Sequence, residues 1–355
     1  MRAEDAVSAR DAANGKDSRA TLATVAASAG VSVATVSKVL NGRSDVAPAT
    51  RALVQDLLEE HDYVGRRADP GRLVTVELMF HDPLNAYSLE VFEGILTTAD
   101  ELDAAVAVSL RPRGEGRSAA ARSSAWVRGL VAAGRSAVIT VTSELPGSDL
   151  SALSRARIPV VVIDPFNLPR TKVISVGSTN FTGGLSAARH LLELGHRQIA
   201  YVGGPAEAAC NQARMQGYRA AMEAAGLPVP DGYVRYGRFH HSDGVAEGAC
   251  LLELREPPTA VFAGSDETAL GIVEAARSRG LRVPEDLSIV GFDDTSVARF
   301  ASPPLTTVRQ PLREIGGAAL RRALALAAGE KVDSYHVELA TELVVRHSTA
   351  PPAPR

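Results

Sequence analysis

The sequence predicts an α/β body preceded by a small helical head, and three observations carry that reading. From residue 73 onward, eight short apolar segments rich in Val and Ile alternate with amphipathic helical stretches. The segments are near-continuously apolar, as parallel strands buried on both faces are. Residues 21–63 instead carry helical periodicity alone, broken by turn residues.

In the head, Thr21 is a candidate N-cap, and Leu22, Val25, Ala26 and Ala29 behind it share one helical face. Gly30 ends that helix and Ser32 caps the next, VATVSKVL. This second helix turns Val36, Val39 and Leu40 inward and Ala34, Ser37 and Lys38 outward, and Asn41-Gly42 closes it. Pro48 stands where a third helix begins. Leu53, Leu57 and Tyr63 are expected to pack that helix on the first two. Two short helices joined by a tight glycine turn are a helix-turn-helix. Small polar groups and one cation on the outer face suit a major groove, where bulk clashes and donors must reach base edges. A plain three-helix bundle would show the same periodicity. Residues 64–73, VGRRADPGRL, form a joint in which Arg66, Arg67 and Arg72 surround Pro70-Gly71, a pair that argues against a continuous helix.

The strands of the body are expected at 73–80, 106–110, 137–141, 158–164, 173–176, 198–204, 259–264 and 287–294. Helices are expected between them, among others at 88–103, 183–194, 212–225, 243–254 and 267–279. So many units exceed one ordinary sheet, which predicts two lobes, each with a parallel sheet. Ligands in such folds bind at the carboxyl ends of strands, and a cleft between lobes is a preferred place. The expected division is a disordered tail at 1–18, a head at 19–66, a linker at 67–73, a two-lobed body at 74–346 and a disordered tail at 347–355.

The 355 residues carry a formal net charge of −3, which excludes a chain basic throughout but not a small DNA-binding module. The head itself, from 19 to 72, has seven cations against six anions, so placement of charge matters more than its sum. Two cysteines, Cys210 and Cys250, are too few for a disulfide framework or a structural zinc site and fit a reduced, cytoplasmic protein. No apolar run reaches the length of a membrane span, and the first twenty residues lack the apolar centre of a secretory signal. A dinucleotide fingerprint after the first strand, a Walker loop, a zinc-protease HExxH and a GxSxG elbow are all missing, so no enzyme, cofactor or metal is expected. His240 and His241 adjoin each other without further ligands at a metal spacing.

The stretch TLATVAASAGVSVATVSKVLNG resembles the DNA-binding head of the lactose-repressor (LacI) family of transcription regulators. HLLELGHRQIAYVGGP, RMQGYRAAMEAAG, PTAVFAGSDETALGIVEAARSRGLRVPEDLSIVGFDD and PPLTTVRQP resemble that family's periplasmic-binding-protein-like effector domain, in the family's order. The likeness spans about residues 21–346. It implies a cytoplasmic homodimer or tetramer whose paired heads bind a pseudo-palindromic operator, with a small effector, usually a sugar or oligosaccharide, between the lobes. A repressor released by sugar is the first expectation. The alternatives are a co-repressor-type regulator responding to a non-sugar metabolite, or a sugar-binding protein without a DNA role.

By that resemblance Val33 and Ala34 open the recognition helix, with Ser37 and Lys38 one turn on. Val33 and Ala34 can only touch thymine methyls or permit close approach, which leaves base hydrogen bonds mainly to Ser37 or Lys38. Ser32, Thr35 and Asn41 read as phosphate contacts, and Thr21 and Leu22 begin the first helix, whose N-terminus can meet a phosphate. The joint is shorter than in many family members, so a wedged hinge helix is in doubt. Arg66 and Arg67 can instead reach a narrow minor groove or phosphates.

In the body, Asn85-Ala86-Tyr87-Ser88 resembles the family's turn after the first strand, which offers Tyr87 and Ser88. Arg214 stands where the family has its effector-gripping arginine, with Cys210 one turn before it. Phe239 matches an aromatic on the pocket floor and Asp293 a ligand-accepting carboxylate. Ser265 and Asp266 open a helix after a strand, where Asp266 reads first as a cap or lobe-orienting group.

Overall fold

The computed structural model describes residues 22–40, 46–60, 73–111, 119–142, 145–166 and 173–353. The chain divides into two compact units, Met1–Arg72 and Leu73–Arg355.

The first unit holds α1 (Leu22–Ala29), α2 (Val33–Leu40) and α3 (Pro48–Glu60). Gly30 takes φ +63° after α1, a left-handed step that a side chain would strain. It lets Val31 N donate back to Ala26 O at 3.0 Å and swings the chain into α2. Ser32 caps α2, its Oγ accepting from Thr35 N at 3.1 Å. Val25, Ala26, Val36, Val39, Val46, Val54 and Leu58 form the core of this unit. The third helix departs from expectation. Val54 and Leu58, one turn apart, supply its buried face with Leu57 packed against it as expected, whereas Leu53, a quarter-turn away, is exposed. Tyr63 lies outside the described residues.

The second unit has two six-stranded sheets. The first lobe contains β1 (Val74–Phe80), α4 (Ala86–Glu101), β2 (Ala104–Leu110), α5 (Ala119–Ala132), β3 (Ala137–Val141), α6 (Gly147–Ala156), β4 (Val160–Ile163) and β5 (Ile174–Ser178). The second contains α7 (Asn180–Glu193), β6 (Ile199–Gly203), α8 (Ala209–Ala224), β7 (Val234–Tyr236), α9 (His241–Leu252), β8 (Ala260–Ala263), α10 (Asp266–Arg277), β9 (Ser288–Asp293), α11 (Ser296–Phe300) and β10 (Thr306–Arg309). The chain then returns to the first lobe as α12 (Leu312–Ala327) and β11 (His336–Leu339), and crosses again for β12 (Glu342–Val344). Strand orders are β11-β5-β4-β3-β1-β2 and β12-β10-β9-β8-β6-β7. Among the described residues only β12 runs antiparallel to its neighbour, β10.

Three segments therefore pass between the lobes, at 178–180, 309–312 and 339–342, and side chains stitch them together. Ser178 Oγ donates to Gln310 Oε1 at 2.5 Å, and Thr179 Oγ1 lies 3.0 Å from Thr341 Oγ1. Helix α12 packs on the first lobe through Leu312, Ile315, Ala319, Leu320 and Ala323. Residues 347–353, expected as part of a tail, dock on the second lobe. Ile289 N donates to Ser348 O at 2.8 Å, and Ser348 Oγ donates to Ile289 O at 2.6 Å. Backbone groups along β9 thereby gain the partners that burial demands.

Candidate functional site

The head presents one face suited to DNA. On α2, Val33 is 47% exposed, and Ala34 and Lys38 are exposed beside it. Val36 and Val39 point the other way into the core, so the helix is amphipathic with its small residues outward. Ser32 is exposed and Thr35 half-buried, with their hydroxyls 2.9 Å apart in the cap. Thr21, Asn41, Arg66 and Arg67 lie outside the described residues, as do the side chains of Leu22 and Ser37.

In the body a buried polar cluster draws on both lobes. Arg214, 4% exposed on the first turns of α8, is its centre. Gly184 of α7 and Gly217 of α8 set its position. A Cβ at Gly184 would lie 2.2 Å from Arg214 O, and one at Gly217 would lie 2.2 Å from Phe181 O. Only glycine allows these helices so close. The approach brings Arg214 Nε within 2.7 Å of Asn180 Oδ1, and Nη1 donates to Gly264 O at 2.6 Å. The guanidinium lies 3.8 Å from the centroid of Phe292 and 5.5 Å from that of Phe239.

Asp293 ends β9, is 6% exposed, and accepts from Gln310 Nε2 at 2.6 Å through Oδ1. The same oxygen is 3.9 Å from Arg214 Nη1. Asp164 follows β4 in the first lobe and accepts a short hydrogen bond from the Tyr87 hydroxyl. Phe239, Asp293 and Asp164 take φ of +68°, +116° and +43°. Such values are costly for side-chain-bearing residues and cluster at ligand sites. All three follow or end parallel strands, at the carboxyl ends where these folds bind ligands.

Burial dominates the electrostatics. It pushes the Asp293 carboxyl well above its ordinary value, against the pull of Arg214. It also raises Asp164, offset in part by the Tyr87 hydrogen bond and by Arg214. The Tyr87 hydroxyl is driven up by burial and by Asp164, and the Cys210 thiol by burial. Burial opposes the charge on Arg214, yet Cys210, Asp293 and Asp164 together raise its pKa.

The structure thus brings Tyr87, Cys210, Arg214, Phe239 and Asp293 together. Ser88, Ser265 and Asp266 have their polar atoms occupied within the protein. Ser88 Oγ accepts from Asn85 N at 2.7 Å in the cap of α4. Ser265 Oγ donates to Phe239 O at 3.0 Å and accepts from Thr268 N at 3.1 Å, which caps α10 and holds Phe239. Fully buried Asp266 accepts from Thr295 N at 2.8 Å and Thr307 Oγ1 at 2.6 Å, and burial lifts its pKa to about 7.

Sequence reasoning missed Asp164, Asn180 and Gln310. Asp164 had a signal, a carboxylate closing the apolar run IPVVVID. Asn180 and Gln310 become visible only once the crossings are known. A separate groove of about 580 Å³ between α5 and α6 is lined by Val127, Val131, Arg128 and Arg155. Its lining holds no carboxylate and no aromatic ring, so the buried cluster is the stronger candidate site.

Comparison with known proteins gives matches along the chain. Residues 21–65 match the family model "Bacterial regulatory proteins, lacI family", and residues 188–349 match "Periplasmic binding protein-like domain". The HTH-type transcriptional regulator DegA of Bacillus subtilis is 35% identical over 340 residues, covering 94% of this chain and 99% of its own. A transcriptional regulator CelR–cellobiose complex superposes with a TM-score of 0.70 at 33% identity, over 93% of this chain and all of that one. The lac repressor dimer bound to operator and the anti-inducer ONPF gives 0.69 at 28%, over 93% and 99%.

Proposed function

Since the chain belongs to the lacI family of bacterial regulatory proteins, we propose that it is a repressor of carbohydrate-utilisation genes, released from its operator by a sugar bound between its lobes. It is a DNA-binding transcriptional regulator with a small-molecule effector. The observation that carries the effector half is the cluster of half-buried Tyr87 with buried Asp164, Arg214 and Asp293, drawn from both lobes at strand carboxyl ends. Its acceptors and donors suit hydroxyls, and the rings of Tyr87 and Phe239 suit the C–H faces of a sugar. Cys210 lines the site as a half-buried thiol and takes no catalytic part on this reading, in which the protein acts by binding.

The DNA half rests on the exposed face of α2. Val33 and Ala34 meet thymine methyls while Ser37 and Lys38 reach base edges. Ser32, Thr35, Asn41 and the start of α1 at Thr21 and Leu22 contact phosphates, and Arg66 and Arg67 of the joint reach a narrow minor groove or phosphates. The working unit is a cytoplasmic dimer, as the lac repressor is on its operator. The sugar is an oligosaccharide or its component, by analogy with the cellobiose held by CelR.

The test is recovery of genomic DNA fragments by the purified full chain, followed by gel shift at moderate salt. One class of fragments shifts specifically, and a sugar from the flanking pathway releases it. Absence of any specific fragment sinks the proposal. A sugar that tightens the complex reverses its sign.

A further inference from the structure

The charge inventory of the cleft narrows the ligand further. Among the described residues the cluster holds two carboxylates, Asp164 and Asp293, and one cation, Arg214. A third carboxylate, Asp266, acts on Asp293 from behind.

The cation is already committed. Nε is held by Asn180 and Nη1 by Gly264 O, with Asp293 Oδ1 at 3.9 Å and the ring of Phe292 beneath. The carboxylates of Asp293 and Asp164 both act on this guanidinium, so an anion brought to it meets their negative charge as well. The nearby arginines are committed as well. Arg309 Nε and Arg346 Nη2 lie 2.7 and 2.5 Å from Asp294, and Arg299 lies 3.3 Å from Glu90.

Helix N-termini are the other anion receptors of such a cleft, and here the protein fills them itself. At α4, Asn85 Oδ1 accepts from Ser88 N at 3.0 Å, and Ala86 N donates to Glu267 Oε1 at 3.4 Å. At α8, Ala209 N donates to Phe166 O at 2.8 Å. At α10, Ser265 accepts from Thr268 N, and Asp266 and Glu267 lie in the first turn.

The site offers acceptors in excess. The Asp293 contacts to Gln310 and Arg214 use Oδ1, so Oδ2 is available for a ligand donor. Hydroxyl donors stabilise buried carboxylates, whereas a further negative charge raises the cost of ionising them. Resting on the reading that the cleft binds a sugar, we infer that it is built for an uncharged polyhydroxylated ligand and rejects the phosphorylated or carboxylated forms of that ligand.

The experiment is calorimetric titration and thermal shift of the full chain against matched probes. The neutral set is cellobiose, glucose and ribose. The anionic set is cellobionate, glucose 6-phosphate, glucuronate and ribose 5-phosphate. Like-charge contact in a desolvated site is costly, so the neutral form of a bound sugar should win by at least about tenfold. Asp164→Asn should bring that ratio toward one, and Asp293→Asn serves the same purpose if the first variant folds poorly. An anionic probe that binds as well as its neutral partner overturns the inference, as does a ratio unchanged in a folded variant. Silence from every probe overturns it together with the sugar. Operator shift in the same preparation then shows whether the DNA-binding reading stands on its own.

Discussion

Arg214 carries a positive charge at 4% exposure, and two buried carboxylates depend on it. Removing one member of a buried charge group leaves the others uncompensated, at about 3–5 kcal/mol. Arg214→Ala should lose roughly that much stability in denaturant titration at pH 7. It should lose less at pH 5, where Asp164 and Asp293 take up protons more readily. Equal losses at both pH values would count against the cluster as described. Asp266 gives a second pH signature. Its folded pKa is about 7, raised by burial from 3.8. Between those values the folded state binds the extra proton, so this group makes stability fall as pH rises, and above 7 its penalty is constant. An asparagine can keep the contacts to Thr295 and Thr307. Wild type should therefore lose stability relative to Asp266→Asn from pH 4.5 to 7.5, and a constant difference would refute the shift.

At the scale of elements, the packing of α7 on α8 decides whether Arg214 reaches Asn180. Gly217→Ala places a methyl 2.2 Å from Phe181 O, so the helices must part. Overpacking of this kind costs about 1–3 kcal/mol. Sugar affinity, read by calorimetry on the full chain, should fall, and unchanged affinity in the folded variant would count against this packing. The crossings offer a subtler case. Gln310 accepts from Ser178 Oγ and donates to Asp293 Oδ1, which joins one inter-lobe segment to another and to the Asp293 carboxylate. Gln310→Ala should speed hydrogen exchange at the 178–180 and 309–312 crossings without altering that of the head. Unchanged exchange there would show that the bridge carries no constraint. The crossings also mark where the sequence stopped being legible. The three helices of the head were readable because their periodicity and caps are local. Helix α12 has the same kind of stripe, at Leu312, Ile315, Ala319, Leu320 and Ala323, yet nothing local says that it returns to the first lobe. Its partner is set by strand order, a non-local property. For the same reason the family pattern pointed to Arg214 and Asp293, while Gln310, which follows another strand, stayed hidden and Asp164 left only the carboxylate that closes IPVVVID.

For the whole molecule, the central claim is a coupling of two sites in one chain, the exposed face of α2 and the buried cluster between the lobes. A net charge of −3 and a nearly balanced head make affinity dependent on paired presentation of two heads. A ligand that changes lobe geometry can act at that point. Coupling of this kind is reciprocal, so the factor by which sugar weakens operator binding equals the factor by which operator weakens sugar binding. The most direct measurement is therefore operator titration by fluorescence anisotropy at fixed salt, with and without a saturating sugar, for wild type and Arg214→Ala. The account predicts a sugar-dependent loss of operator affinity in wild type and none in Arg214→Ala, with sugar-free operator affinity alike in both. A sugar response that survives the loss of Arg214, or a wild type whose operator affinity ignores a bound sugar, would contradict it.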